Sequence, residues 1–273
     1  APTINMARDP RWGRTEESYG EDPYLVGRLS VGFIKGLQGD DAKYFKTVAT
    51  PKHFALHNQE TGRMSRCFDC PEEVLRDYYL PAYRDSFVEG KAQSVMAAFS
   101  GINKVPCTAN FWLLTDVLRR EWGFDGAVVT DWGGVTQLMA QQKYATDLTQ
   151  ACALSINAGG DVICDSNQQG IKEAIVAAVK EKSLKEEVLN RAVSRNLLVR
   201  FKLGMFDGPE QVAYQKIPKN AVGTKEHQAA ALRAALEVAV LLKNDPAPRG
   251  YGFDKLLPLN LRRIDSIAVL GSH

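Results

Sequence analysis

GAVVTDW, residues 126–132, opens on a glycine, runs through apolar and β-branched residues, and ends on an aspartate beside a tryptophan. A short apolar run closed by turn residues predicts a buried strand, because alternation of apolar and polar residues disappears when both faces are covered. PTINM (2–6), KTVAT (46–50), SVMAAF (94–99) and GDVIC (160–164) repeat the pattern. Each is followed by a polar loop, often bearing Gly or Asn, and then by a helical pattern. Leu25, Leu29, Phe33 and Leu37 recur every fourth residue and predict one apolar helix face. Residues 71–88 do the same with Val74, Leu75, Tyr78, Tyr79 and Tyr83, opening on Pro-Glu-Glu as a helix start should. Residues 110–122 and 170–203 also read as helical, the second stretch as two helices broken near Ser183.

Strand, loop and helix in steady succession imply parallel strands joined by helical crossovers. No Gly-x-Gly-x-x-Gly or Gly-x-x-x-x-Gly-Lys-Ser/Thr string follows any of these strands, which counts against the nucleotide-binding α/β folds. The expected fold is therefore an α/β (β/α)8 TIM-type barrel. About five of its eight strands lie in the sequence, the missing ones being expected ahead of residue 1. After KLGMFD (202–207) the character changes. The expected organisation is a partial barrel over residues 1–207, a linker punctuated by Pro and Gly over 208–225, and the start of a second α/β sandwich domain over 226–273. That last part holds an Ala-rich helix at 226–240 and a buried strand in SIAVLG (266–271).

The 273 residues carry a formal net charge of +2 with both signs interspersed, so no basic stripe of the kind nucleic acid requires is present. No apolar run approaches a membrane span, and the N-terminus has neither the charged nor the apolar region of a signal peptide. Five cysteines at irregular spacing do not form a disulfide framework. Cys67 and Cys70 make a lone C-x-x-C without a second ligand pair, so no metal site and no cofactor are expected.

In a barrel, reactive side chains gather at the C-terminal ends of the strands. Arg8, Asp9, Arg11, Arg14, Glu16, Glu17, Glu21 and Asp22 follow the first strand. Lys52, His53, His57, Asn58, Glu60 and Arg63 follow the second, Ser100 and Asn103 the third, and Asp131 with Trp132 ends the fourth. A carboxylate on a rigid strand beside a flat aromatic suits a sugar, which offers an apolar ring face and hydroxyls for charged partners. The same carboxylate suits covalent glycosyl transfer. A strand-terminal Asp also caps helices, and mixed charges at barrel ends also form structural ion pairs. Residue types alone leave other barrel enzymes open.

RDPRWGRTEESYGEDP, KHFALHNQETGR, WGFDGAVVTDW and RFKLGMFD occur in this order, and together they resemble glycoside hydrolase family 3, the β-glucosidase and β-xylosidase family. The resemblance runs over nearly the whole chain. It implies a retaining, exo-acting β-glycoside hydrolase of carbohydrate metabolism, acting on small β-linked oligosaccharides or glycosides. By position it implies Asp131 as nucleophile, Lys52, His53, Arg14 and Arg63 as contacts to sugar hydroxyls, and Trp132 as the aromatic next to the nucleophile. Asp9, Glu17, Glu21 and Asp22 read instead as ion pairs and caps that pin the loop. A secreted or periplasmic location is expected from the resemblance alone.

Three departures stand out. Phe99 occupies a position where many relatives carry a Tyr whose hydroxyl bonds near the nucleophile. A carboxylate binding outer hydroxyls is expected upstream of residue 1, and the acid/base Glu beyond residue 273. His57-Asn58 after Lys-His-Phe-Ala-Leu argues against the N-acetylglucosaminidase branch. Trp132 leans towards β-glucosidase, the favoured reading. The PCTANFWLLTDVLRREWGFDG stretch and the MFDGPEQVAYQKIP tail lean towards the alternative, β-xylosidase. A non-catalytic carbohydrate-binding protein on a degenerate barrel is the alternative of another class, although a pure binder has no need of a nucleophile. A metal-dependent hydrolase lacks a ligand cluster, the H-x-x-x-H of His53 and His57 having no Glu after the first His.

Overall fold

Extended segments of the computed structural model lie side by side, parallel and in chain order, across residues 1–4, 50–54, 94–98, 127–130 and 161–162. The structure describes residues 1–245, 255 and 257–271. The amide of Ile4 donates to Lys52 O (2.9 Å) and that of Lys52 to Pro2 O (2.9 Å). Phe54 donates to Met96 O (2.8 Å), and Ala98 returns a bond to Phe54 O (2.8 Å). Elements are numbered along the chain, beginning with α1 (Pro23–Gln38), β1 (Cys67–Phe68), α2 (Glu72–Val74) and α3 (Pro81–Val88). They continue with β2 (Ser94–Ala97), β3 (Gly101–Ile102), β4 (Val105–Pro106) and β5 (Ala127–Thr130). β2 and β5 pair from Ser94↔Ala127 to Ala97↔Thr130, and Val129 bridges Val162. Among the described residues no bridge joins the first extended segment to the last.

Parallel neighbours need long crossovers, and helices supply them. α1 links the first pair, while α2 passes through a π-type turn (Leu75–Tyr79) into α3 and links the second. A π-type helix (Trp112–Glu121) links β2 to β5. Next come α4 (Gly134–Ala140), α5 (Leu148–Ala158), α6 (Gln168–Lys180) and α7 (Glu186–Lys202). Helices on one side and side chains on the other leave Ile4, Phe54, Val95, Ala97 and Val128 with no exposure. This double covering accounts for the apolar runs in the sequence.

Three local expectations are corrected. The second strand pairs over residues 50–54 rather than 46–50, because the Lys46 amide is tied to Gln38 O at the end of α1 (2.8 Å). The buried face of α1 is Val26, Gly27, Ser30, Val31, Ile34 and Gln38, whereas Leu25, Leu29 and Phe33 are exposed. Close approach decides this: Gly27 lies against Asp85 of α3, where a Cβ would come within 2.6 Å of the carboxylate, and Ser30 and Ser86 share a hydrogen bond of 2.7 Å. Small residues let these helices meet, so leucine spacing misidentifies the contact face. Finally, residues 266–271 are exposed and form no ladder, since a strand needs a partner edge.

α7 crosses the N-terminal ends of the extended segments. Its Lys202 accepts from the Phe45 amide (2.9 Å) and donates to Gln93 (2.6 Å), and its Arg195 reaches Asp161 (3.1 Å). The Asp161 side chain has no exposure and also accepts from Arg119 (2.6 Å) and the Val128 amide (2.7 Å). One end of the sheet is thereby closed by a helix and a buried ion triad, leaving the C-terminal ends for other work.

The chain divides into two units, Ala1–Lys216 and Ile217–His273. Within the second, α8 (Lys225–Glu237) is capped by Thr224 and carries no buried residue. Residues 246–254, between the helix and the strand expected there, lie outside the described residues.

Candidate active site

Asp131 follows β5 directly, and the turn after it is built by glycine. Gly133 takes a left-handed φ of 77° and donates its amide to Cys164 O (2.7 Å), a conformation that a side chain would strain. Gly134 then starts α4 where a Cβ would sit 3.3 Å from Thr130 Cβ. This tight exit leaves the Asp131 carboxylate at the C-terminal rim, 17% exposed, with one oxygen accepting the Trp132 amide (2.7 Å).

His53 sits opposite. Its Nε2 lies 3.7 Å from Asp131 Oδ2, too long for a direct hydrogen bond. Burial, together with the charges of Arg14, Lys52 and Arg63, holds its pKa far below the ordinary histidine value, so the ring is neutral. Asn5 grips the residue from behind: its amide nitrogen donates to His53 O (2.9 Å) and its carbonyl accepts the His53 amide (2.8 Å). Tyr83, fully buried, donates to the same His53 carbonyl (2.7 Å).

The cations are held by carboxylates. Arg14 forms a two-pronged pair with Glu17 (2.6 and 2.8 Å), and Lys52 Nζ lies 3.8 Å from the same carboxylate. Arg14 and Thr3 bring the Glu17 pKa down to about 2. Arg63 pairs with Glu60 (2.8 Å), and its guanidinium lies over the Phe99 ring at 5.8 Å. Burial raises the Asp131 pKa above the ordinary carboxylate value, while the Trp132 amide, Arg63, Arg14 and Lys52 oppose it. Asp131, His53, Lys52, Arg14 and Arg63 therefore act on one another. The Trp132 indole flanks them, 66% exposed and free to cover an apolar ring.

Glu17 pins the loop through Arg14, Asp22 caps α1 by accepting the Leu25 amide (2.8 Å), and Asp9 pairs with Arg11 (2.7 Å). The His57 ring lies tilted by 41° against His53 with centroids 4.6 Å apart, and neither of its ring nitrogens has a hydrogen-bond partner among the described residues. Burial lowers its pKa to about 4, so it too is neutral. Asn5 is the residue that motif reading missed. Its signal was present: an amide inside PTINM, an otherwise apolar strand, must find partners once buried. A cavity of about 510 Å³ between residues 8–12 and 58–61 is lined by Arg8, Trp12 and Asn58 but by none of the six expected residues. The charged groups therefore converge on Asp131 and not on that cavity. Among the described residues no group of three or more His, Cys, Asp or Glu is placed to hold a metal, and no helix is long and apolar enough to cross a membrane.

Comparison with known proteins identifies the family. Residues 1–199 match the model of the glycosyl hydrolase family 3 N terminal domain. Xylan 1,4-beta-xylosidase of Xylanibacter ruminicola is 36% identical over 275 residues, an alignment covering all of this chain and 31% of that protein. Among solved structures, a GH3 exo-beta-xylosidase bound to a xylobiose aziridine probe superposes with a TM-score of 0.84 at 32% identity, covering 92% of this chain and 33% of that one. The glucose complex of beta-glucosidase from Listeria innocua gives 0.83 at 34%, covering 95% and 34%. The chain spans about a third of the length of the curated relatives it matches. With its quoted strings, its parallel strand order and these matches in accord, the chain belongs to glycosyl hydrolase family 3.

Proposed function

We propose that this chain carries the nucleophile and most of the sugar-binding side chains of a retaining, exo-acting β-glycoside hydrolase, with β-xylosides as the substrate class. One observation carries the reading: a carboxylate fixed at the end of a buried strand, 3.7 Å from a neutral histidine and within the field of three cations. Asp131 attacks the anomeric carbon, the glycosidic C–O bond breaks, and water later releases the sugar from the ester. Lys52, Arg14, Arg63 and His53 take sugar hydroxyls, and the Trp132 indole packs on the ring. The parallel strands are read as part of a (β/α)8 barrel, in keeping with the parallel order and the family. Residues 208–225 are read as a linker, and 226–273 as the opening of an α/β sandwich domain.

The expected preference for glucosides gives way to the alternative. Sequence relatives carry xylosidase in their names, while structural neighbours include both kinds of enzyme. Family membership and an intact nucleophile also weigh against a pure carbohydrate binder.

The test is trapping. Incubation with 2,4-dinitrophenyl 2-deoxy-2-fluoro-β-xyloside and its glucoside counterpart should glycosylate Asp131 without help from an acid, because dinitrophenolate leaves unassisted. The expected result is an adduct on the tryptic peptide spanning residues 121–143, localised by fragmentation to Asp131 rather than Asp125, forming faster with the xyloside. An adduct on another carboxylate would reassign the nucleophile, and none with either sugar would end the hydrolase reading.

A further inference from the structure

Asn5 makes more contacts to His53 than support of a loop requires. The two peptide groups of His53 fix the orientation of the Asn5 side chain. The His53 N–H can only donate, so the Asn5 atom it meets at 2.8 Å is the carbonyl oxygen. The His53 C=O can only accept, so the atom it meets at 2.9 Å is the Asn5 nitrogen. Tyr83 agrees, accepting from that nitrogen (3.1 Å) while donating its own proton to His53 O. The amide cannot be flipped without setting two donors and two acceptors against each other.

That orientation places the Asn5 carbonyl oxygen 3.2 Å from His53 Nδ1. Had Nδ1 no proton, two lone pairs would face each other in a site with 2% exposure. The proton therefore sits on Nδ1. In a neutral ring Nε2 then carries a lone pair, and Asp131 Oδ2, another acceptor, lies 3.7 Å from it. Two acceptors at that separation call for a donor between them.

We propose that Asn5 is a positioning residue that locks His53 in the Nδ1–H tautomer, so that Nε2 accepts a hydrogen bond from a sugar hydroxyl lying beside the Asp131 carboxylate. This deepens the reading of His53 as a sugar contact and rests on it. It assigns His53 the role of acceptor and leaves hydroxyl recognition by donation to Lys52, Arg14 and Arg63. A sugar whose hydroxyl there is replaced by hydrogen or fluorine has no proton to give. The other imidazole, His57, lies against the His53 ring with centroids 4.6 Å apart and the planes tilted by 41°.

The test is ¹⁵N NMR of the natural protein labelled at histidine, with His53 assigned from its His53→Gln variant. Nδ1 should appear as a protonated, pyrrole-type nitrogen and Nε2 as a bare, pyridine-type one. Saturating D-xylose should shift Nε2 upfield, as hydrogen-bond acceptance requires, with the proton remaining on Nδ1. Asn5→Leu removes the acceptor and should bring in the Nε2–H form, with kcat/KM falling about 10- to 100-fold, by analogy with the partner behind a metal-ligating histidine. Asn5→Asp keeps an acceptor at Nδ1 and should keep the tautomer, while its second oxygen loses the bond donated to His53 O and with it part of the activity. A wild-type spectrum with the proton on Nε2, an Nε2 resonance indifferent to xylose, or an unchanged tautomer in Asn5→Leu would each overturn the proposal. The wild-type spectrum decides the tautomer even where Asn5→Leu does not fold. A protein with the expected spectrum and xylose response but no hydrolysis would retain this assignment and lose the hydrolase reading.

Discussion

Glu17 holds two of the cations expected to grip the sugar, so Glu17→Gln is the most informative single change. In the structure its carboxylate takes two charge-assisted bonds from Arg14, at 2.6 and 2.8 Å, and faces Lys52 at 3.8 Å. A charge pair at 3.8 Å is worth about 4 kcal/mol at an effective dielectric constant of about 20. With Lys52 24% and Glu17 36% exposed, solvent screening reduces this to about 1 kcal/mol. Glutamine keeps one acceptor for Arg14 and loses one charge-assisted bond, costing about 1 kcal/mol more. The sum of about 2 kcal/mol corresponds to a KM roughly 30-fold higher, with a smaller change in kcat. Charge adds a second signature. Removing a negative group from the site favours ionised Asp131, so the acid limb of kcat/KM should move to lower pH. Steady-state kinetics on an aryl β-xyloside across pH measures both effects. An unchanged KM, or an acid limb displaced upwards, would refute the reasoning that Glu17 orients the cations.

Arg63→Met should do the reverse to the acid limb. The Asp131 pKa is already raised by burial, and losing the first of the opposing cations raises it further, so activity on the acid side is lost at higher pH. Asp131→Asn should abolish turnover yet raise Tm at neutral pH. A carboxyl whose folded pKa lies above its unfolded one adds stability below the unfolded value and loses it as pH rises through the folded one. The gain in Tm, followed by differential scanning calorimetry, should therefore shrink as the pH is lowered. Asp161→Ala strands Arg119 in the interior and removes the acceptor of the Val128 amide, and urea unfolding should show a loss of about 3 to 5 kcal/mol. Gly27→Val drives a side chain into the Asp85 carboxylate and should separate α1 from α3, lowering Tm, while Gly32→Ala on the open face should raise it slightly by helix propensity.

The sequence by itself determined the class of fold and the principal candidate residue. Apolar runs such as GAVVT reflect strands covered on both faces, and a strand of that kind holds whatever follows it rigidly, which is why Asp131 is legible without coordinates. The helices over residues 23–38, 168–180 and 186–202 were likewise legible, because spacing and capping are local properties. What only the tertiary structure decided is what depends on contacts between distant segments. The packing face of α1 follows from Gly27 and Ser30 meeting α3, 56 residues away for the serine pair, so it left no apolar trace. The pairs of Arg14 with Glu17 and of Arg63 with Glu60 are local, three residues apart, but bringing Arg14, Lys52 and Arg63 into the field of Asp131 needed the loops after several strands to converge. The state of His53 is the furthest from sequence. It depends on one amide, 48 residues upstream, whose orientation is set by hydrogen bonds that exist only once the first two segments lie side by side.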